Sequence, residues 1–575
     1  EYLGQTKQKQ LDCQQIAEFG ALTTRSVVTS IFVQRIVLTI RSQKFLGTGH
    51  SAMSLRVILA VVVSVLYLSP VTLTRAGDRT EGTPDPSYVA AVYEHRVILN
   101  PEPHVPLSRD AALKHMMRNL KVYEEQAARA AEQGAHIIVF PEDGIHGFNF
   151  SRLSIFGYLE TIPDPLTEDW NPCTQPDRHN HTEVLQSLSC MARHHQLYLV
   201  ANMPDLQPCP LPSHPPCPPD GHWQFNTDVV FRSDGSLAAR YHKQNLFIEK
   251  EFNTPPRLEV VTFDTPFAGR FGVFTCFDIL FYDPTVRLLE QEGIRQMVFP
   301  TAWMNKLPLL TAVQFQRAFS LGANVTLLAA NLRHDSKNMT GSGIFTPSTS
   351  IYHHAGKPEE GKLLVLRIPV LDSDWLATQK QAKGQGETGG EGEPLSAVLP
   401  SLSTTPSPSP TPSPSPTPSP SRFNASMMGD PFSFVLLLDS EGQLTVCDGP
   451  LCCHLQYRRS TQGGNTELYA LGAFAGNHTG ASHYALQVCA LVRCSGSEFS
   501  SCGKGVEEAE SRVDFRLEGK FGTRYVYPSM LGSGMVVDRP DLIEKTTDGR
   551  VAMEHSGMTV GLVTACLYGR VYEQD

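Results

Sequence analysis

No stretch of this sequence stays apolar for the roughly 20 residues that a membrane-spanning helix requires. The best run, Val57 to Leu68, is interrupted by Ser64 and Tyr67. Behind LVTACLYGRVYEQD (562–575) there is no hydrophobic tail, so neither a GPI anchor nor a membrane span is expected there. Basic clusters are missing too. Against 58 Asp plus Glu stand 48 Lys plus Arg, a formal net charge of -10 spread along the chain. A protein that tracks phosphates needs clustered cations, so nucleic acid is not an expected partner. Pairs such as Arg458-Arg459 read as solvated surface. The spacing Cys447-X4-Cys452-Cys453 does not suit a zinc site, and no metal is expected.

What is present begins with 575 residues, enough for two to four domains at roughly 100–200 residues each. Apolar residues make up 41%, ordinary globular usage, while 13 Cys and 42 Pro stand out. Residues 53–76 account for the cysteines. Arg56 precedes the apolar run, and Thr74 and Ala76 are small residues at the -3 and -1 positions of a cleavage site before Gly77. That is the layout of a signal peptide, with a buried helix or a signal anchor as the competing reading. Met53 stands where an initiator would, so residues 1–52 read as a gene-model extension. A secreted, extracellular chain keeps disulfides and can carry N-glycans. Sequons occur at Asn149, Asn180, Asn324, Asn338, Asn424 and Asn477, of which Asn149 and Asn324 have apolar sequence neighbours.

From Tyr88 strand and helix signals alternate. Ser108 caps a predicted helix to about Gln133, with Leu113, Met116, Leu120, Tyr123, Ala127 and Ala130 on one face. Strand runs flank it at Tyr88–Tyr93 and Ala135–Phe140 and recur to Thr326–Asn331, with a hairpin turn at Ser233-Asp234-Gly235. The pattern predicts an α/β domain with a mixed sheet over 77–370. Residues 371–425 are first Gly and Glu rich, then a Thr/Ser-Pro alternation that cannot pair into a sheet, hence a linker. Residues 426–575 hold seven Cys and short β-rich runs, which predict a smaller, mostly β, disulfide-tied domain.

Three predicted strand ends carry reactive groups: Pro141-Glu142-Asp143, His242-Lys243 and Cys276-Phe277-Asp278. Residues at the C-terminal ends of strands can converge along the rim of a sheet. A thiolate is the strongest side-chain nucleophile once its pKa, about 8.5, is lowered or a base takes its proton. A carboxylate can shuttle that proton to a leaving amine, and an ammonium can hold the oxyanion of an attacked amide. The order Pro-Glu, His-Lys, Cys-Phe-Asp resembles the carbon–nitrogen hydrolase (nitrilase) superfamily. FPEDGIHGFNF (140–150), RYHKQNLF (240–247), FDTPFAGRFGVFTCFDILFYDP (263–284), FPTAWMNKLPLL (299–310) and MTGSGIFTP (339–347) resemble its biotinidase and vanin branch, as do LCCHLQY (451–457), ALGAF (470–474) and LYGRVYEQD (567–575).

That resemblance implies a four-layer αββα sandwich followed by a C-terminal base domain. It makes Glu142 the general base, Lys243 the oxyanion-stabilising lysine, Cys276 the nucleophile and Glu249 a candidate second carboxylate, with Glu251 two residues away as its rival. His242 is expected to pack beside Lys243, not to act as a base. No metal or organic cofactor is implied. The expected partner is a small-molecule amide, met by a monomer: biocytin (or a biotinyl peptide) or pantetheine. GIHGFNF, DTPFAGRFG and CALVRC (489–494) favour the biotinyl amide, whereas RYHKQNLF and TDGR (547–550) look vanin-like. A binding glycoprotein that keeps the fold without catalysis is the reading of another class. If Cys13 is removed and Cys276 stays free, eleven cysteines are left to pair. Being odd, that number leaves one single, for which Cys566 in its apolar run is the candidate.

Overall fold

Short runs of Val, Ile, Ala and Tyr, buried on both sides, build the centre of the α/β region. The computed structural model describes residues 86–209, 216–356, 360–371, 422–460, 467–480 and 482–575. The expected extension, the signal peptide and nearly all of the linker lie outside the described residues. Twelve strands make the α/β region: β1 (Ser87–Arg96), β2 (Ile137–Val139), β3 (Tyr198–Pro208), β4 (His222–Phe231), β5 (Leu237–His242), β6 (Val261–Thr265), β7 (Gly269–Val273), β8 (Gln296–Thr301), β9 (Thr326–Arg333), β10 (Ser342–Phe345), β11 (Ser350–His353) and β12 (Lys362–Pro369).

Their main order is β5-β4-β3-β2-β1-β9-β8-β7-β6. The join between β1 and β9 consists of two residue pairs at the strand ends, His95 with Leu332 and Arg96 with Arg333. On either side of that seam lies a mixed sheet, and the two pack face to face. Ala90, Val92, Ile137 and Val139 of the first share one core with Val273, Val298, Leu328 and Ile344 of the second. Helices cover the outer faces: α1 (Arg109–Glu132) and α2 (Glu183–His195) on the first sheet, α3 (Ala312–Ala323) on the second. The result is the nitrilase-type αββα sandwich.

Local chemistry sets these elements. The Ser108 hydroxyl accepts from the Ala111 N–H and opens α1, whose Met116, Leu120, Tyr123 and Ala127 are buried at helical spacing. Gln196 ends α2 in a left-handed conformation (φ 53°), placing His194 and His195 in the last turn.

The remaining strands, β13 (Arg422–Met427) to β24 (Leu562–Arg570), form a seven-stranded and a five-stranded antiparallel sheet. The first begins at Arg422, four residues before the predicted boundary at 426, because Phe423 and Ala425 pair with Phe434 and Phe432. Five disulfides are present among the described residues: Cys173–Cys190, Cys209–Cys217, Cys447–Cys452, Cys453–Cys489 and Cys494–Cys502. The Cys447, Cys452 and Cys453 thiols are therefore bonded to sulfur. Cys276 and Cys566 are free and buried.

The α/β and β regions do not stand apart; the described residues from 86 to 575 form one compact unit. In α3, Phe315 meets Tyr568 edge-on at 5.4 Å, and Phe319 stacks on Tyr527 at 5.5 Å. Gly322 lies so close to Tyr527 that a β-carbon there would come within 2.8 Å of the ring. A single apolar cluster runs from Phe274 and Phe299 through these rings into the seven-stranded sheet.

Candidate active site

β2 is fully buried between β1 and β3, and its register with both ends at Val139. Pro141 has no N–H to extend a ladder, and Asp143 turns the chain with φ 56°. Glu142 sits at that turn, 1% exposed. On the neighbouring edge β5 ends at His242, and the Lys243 N–H still bonds to the Asn226 carbonyl at 2.9 Å. On the second sheet, Phe274 and Thr275 follow β7 and lead into a short 3-10 helix whose first residue is Cys276. Thr275 and Asp278 form a reciprocal capping box, with the Thr275 N–H donating to Asp278 Oδ2 at 3.0 Å. Cys276 has φ 45°, a left-handed conformation uncommon for a residue that bears a side chain.

The groups therefore do not line the rim of one sheet. Glu142 and Lys243 come from one sheet and Cys276 from the other, and face-to-face packing brings them together. Lys243 Nζ donates to Glu142 Oε1 at 2.7 Å and pairs with Glu249 as well. Burial works against the ammonium, yet the charges of Glu142 and Glu249 outweigh it and hold its pKa well above the usual lysine range. Burial first, then the negative charge of Glu142, push the Cys276 thiol well up, against the pull of Lys243. The thiol thus feels both the Glu142 carboxylate and the Lys243 ammonium, which act on it in opposite directions. Glu249 is raised by burial, with Lys243 opposing. Glu251 is also buried and is pushed up to about 7, chiefly by burial. It is Glu249 that reaches Lys243 and Asn226.

Sequence reasoning passed over the polar scaffold behind these groups. Asn226 Nδ2 donates to Glu142 Oε1 at 2.9 Å and to Glu249 Oε2 at 3.0 Å, so one amide spaces two carboxylates. Its oxygen accepts from Asn202 Nδ2 at 2.6 Å, and Asn202 also donates to Asp228 at 2.9 Å. Asp228 accepts from the Thr275 hydroxyl at 2.7 Å, immediately before the cysteine. Asp278 accepts from the Tyr241 hydroxyl at 2.7 Å and from the Asn245 N–H at 2.9 Å, with its carboxyl pushed up to about 6 by burial. The remaining oxygen of Glu142 accepts from the Ala302 N–H at 2.8 Å. One buried chain of hydrogen bonds thus joins both sheets through the Glu, Lys and Cys positions. Asparagines inside otherwise apolar strands were the one signal that could have found it. His242 is held between Asp205 and Glu259, each at 2.8 Å.

Cys276 opens into a cleft of about 490 Å³. Phe247, Phe277, Trp303 and Leu310 line it from the α/β region, and Met428, His478 and Tyr484 from the β region. Arg570, fully buried on β24, donates to the Leu280 carbonyl at 2.8 Å and lies over the Tyr484 ring at 4.7 Å. The β region therefore braces the helix that begins at Cys276. The sequon asparagines Asn149, Asn180, Asn324, Asn338, Asn424 and Asn477 are all exposed. Asn149 (φ 72°) and Asn324 (φ 57°) are exposed despite their apolar sequence neighbours, and Asn324 is the C-cap of α3. Among the described residues no group of His, Cys, Asp and Glu has the arrangement of a metal site.

Fold and family match together define a hydrolase of carbon–nitrogen bonds. Residues 107–340 match the carbon-nitrogen hydrolase family and 421–575 the vanin C-terminal domain. The chain is 62% identical to the biotinidase of Takifugu rubripes over 497 residues, covering 85% of this chain and 95% of that one. It is 47% identical to the biotinidase of Bos taurus and 45% to the pantetheinase of the same species, again over 85% of this chain and over 93% and 90% of theirs. The chain belongs to the biotinidase and pantetheinase branch of the carbon–nitrogen hydrolase family, and it is an amidohydrolase.

Proposed function

We propose that this protein is a secreted amidohydrolase that cleaves the secondary amide of biotinyl-lysine and biotinyl peptides, releasing biotin through a thioester on Cys276. The observation that carries the chemistry is the buried Glu142–Lys243 pair at 2.7 Å, whose charges both act on the Cys276 thiol. Glu142 takes the thiol proton as sulfur attacks the carbonyl carbon. The Lys243 ammonium, with a backbone N–H at the Cys276 turn, holds the tetrahedral oxyanion. Collapse breaks the carbon–nitrogen bond, and protonated Glu142 hands its proton to the departing amine. Water, deprotonated by the same carboxylate, then attacks the thioester and returns the thiol. Glu249 fixes Lys243 from the other side, so the ammonium keeps one position through both steps.

The 62% identity to a biotinidase supports the biotinyl acyl group. The 45% identity to a pantetheinase supports the second reading, release of pantothenate from pantetheine. Five disulfides and exposed sequons fit an extracellular, N-glycosylated monomer whose signal peptide is residues 53–76. The test is a comparison of kcat/KM for biotinyl-lysine and pantetheine, with mass spectrometry of acid-quenched enzyme. A biotinyl adduct on the Cys276 peptide is expected. Preferential turnover of pantetheine would replace the substrate, and an acyl group on another residue would replace the nucleophile.

A further inference from the structure

The cleft that holds Cys276 is lined by two lysines and by no carboxylate, in a chain whose net charge is -10. Lys306 and Lys337 come from different segments, but those segments are tied together. The N–H and side-chain amide of Asn305, next to Lys306, both donate to the carbonyl of Asn338, next to Lys337, at 2.9 and 3.0 Å. The two lysines therefore leave adjacent backbones at one rim. Both are exposed, and neither ammonium has an ion-pair partner among the described residues. The acids that could have neutralised this rim are engaged elsewhere. Asp335 pairs with Arg333 at 2.7 Å and with Arg96 at 3.3 Å, and Asp430 pairs with His478 at 2.8 Å. Two cationic side chains rooted on tied segments at one rim, with no carboxylate among the cleft's lining residues, favour an anion there.

The cleft has a direction. Cys276, Phe277, Trp303 and Leu310 are buried, whereas Met304, Lys306 and Lys337 are exposed and mark the mouth. An acyl group bound to Cys276 stays inside until water arrives, while the amine half has to leave through the mouth. We infer that Lys306 and Lys337 form a carboxylate-recognition site for the amine half of the substrate. The enzyme thereby prefers amides whose leaving amine is an amino acid with a free carboxylate over neutral amides. This rests on the reading of Cys276 as the acylated residue. It also separates the two candidate substrates by charge, since biotinyl-lysine carries such a carboxylate and pantetheine does not.

The test uses Nα-acetyl-Nε-biotinyl-lysine and its C-terminal carboxamide, which differ by one charge. At low salt the acid is expected to have a KM about 3–10-fold below that of the amide, with similar kcat, as befits two solvent-exposed charges at a rim. In the K306Q/K337Q double variant, and at about 1 M salt where screening acts within about 3 Å, the KM ratio is expected to fall to near one. Equal KM values in the unaltered enzyme, or a ratio that survives both treatments, would overturn the inference while leaving the proposed reaction intact. If neither compound is hydrolysed, the proposed reaction fails. Calorimetric titration of the same pair then still reads the charge preference, and equal affinities would overturn it.

Discussion

Cys276 and Cys566 are both free and both buried, and burial raises both thiols, yet only one has neighbours that can use it. Cys566 lies in the middle of β24, opposite Ala490 on one side and Ser529 on the other, in a regular ladder with no charged group acting on it. Cys276 occupies a left-handed turn where a carboxylate and an ammonium from the facing sheet meet. Burial alone makes a thiol inert; burial beside a paired acid and base makes a thiol that is quiet at rest and ready when substrate enters. The difference lies in backbone conformation, in charges delivered from elsewhere in the chain, and in the cleft that Cys276 alone of the two lines.

Replacing each thiol in turn breaks the comparison most sharply. Cys276→Ala is expected to lower kcat by on the order of 10⁴-fold or more with a melting temperature within about 3 °C of the parent's, while Cys566→Ala keeps the rate within about twofold. Initial rates on a biotinyl amide decide it, and equal losses in both variants would make the contrast one of folding. Next in size is Asn226→Ala. Without the amide that spaces Glu142 from Glu249, the base shifts relative to the thiol, and kcat is expected to fall about 10–100-fold with little change in KM. A change in KM alone would show that Asn226 merely shapes the cleft.

Alkylation adds a pH dimension. Because the folded-state thiol of Cys276 titrates above its ordinary value, iodoacetamide labelling is expected to be slow at neutral pH and to climb through the alkaline range. Cys566 should stay unlabelled until the chain unfolds, as peptide mapping can show. Labelling of Cys276 that is already maximal at pH 6 would mean a thiolate at rest. The smallest effect is on stability. Cys566→Ala removes one buried heavy atom and is expected to cost about 1 kcal/mol in denaturant unfolding.

Much of this was legible in the sequence. The runs ending at Phe140, Tyr241 and Thr275 are short, apolar and closed by reactive side chains, so both the strands and the groups they carry could be read directly. The odd cysteine could be assigned because Cys566 lies in an apolar run with no polar signal around it. What escaped was what depends on pairing across the fold. That Glu142 and Cys276 sit on different sheets follows from a two-residue seam between β1 and β9 that no local pattern encodes. Asn202 interrupts an apolar run and Asn226 and Asp228 flank Thr227, and nothing local says that all three are buried and bonded to one another. Between Glu249 and Glu251 sequence had no means of choosing, since the loop conformation alone brings the former to Lys243.

The bond from Arg570 to the Leu280 carbonyl has a consequence in time. The two residues are 290 positions apart in sequence. At about 5–20 residues per second, a ribosome needs roughly 15–60 s to travel from one to the other. Through that interval the newborn α/β region carries its Cys276 turn without the brace beneath it, while the cysteines of the β region emerge and pair. The order of synthesis thus sets a window in which the thiol that is free in the folded chain lacks the brace that later surrounds it.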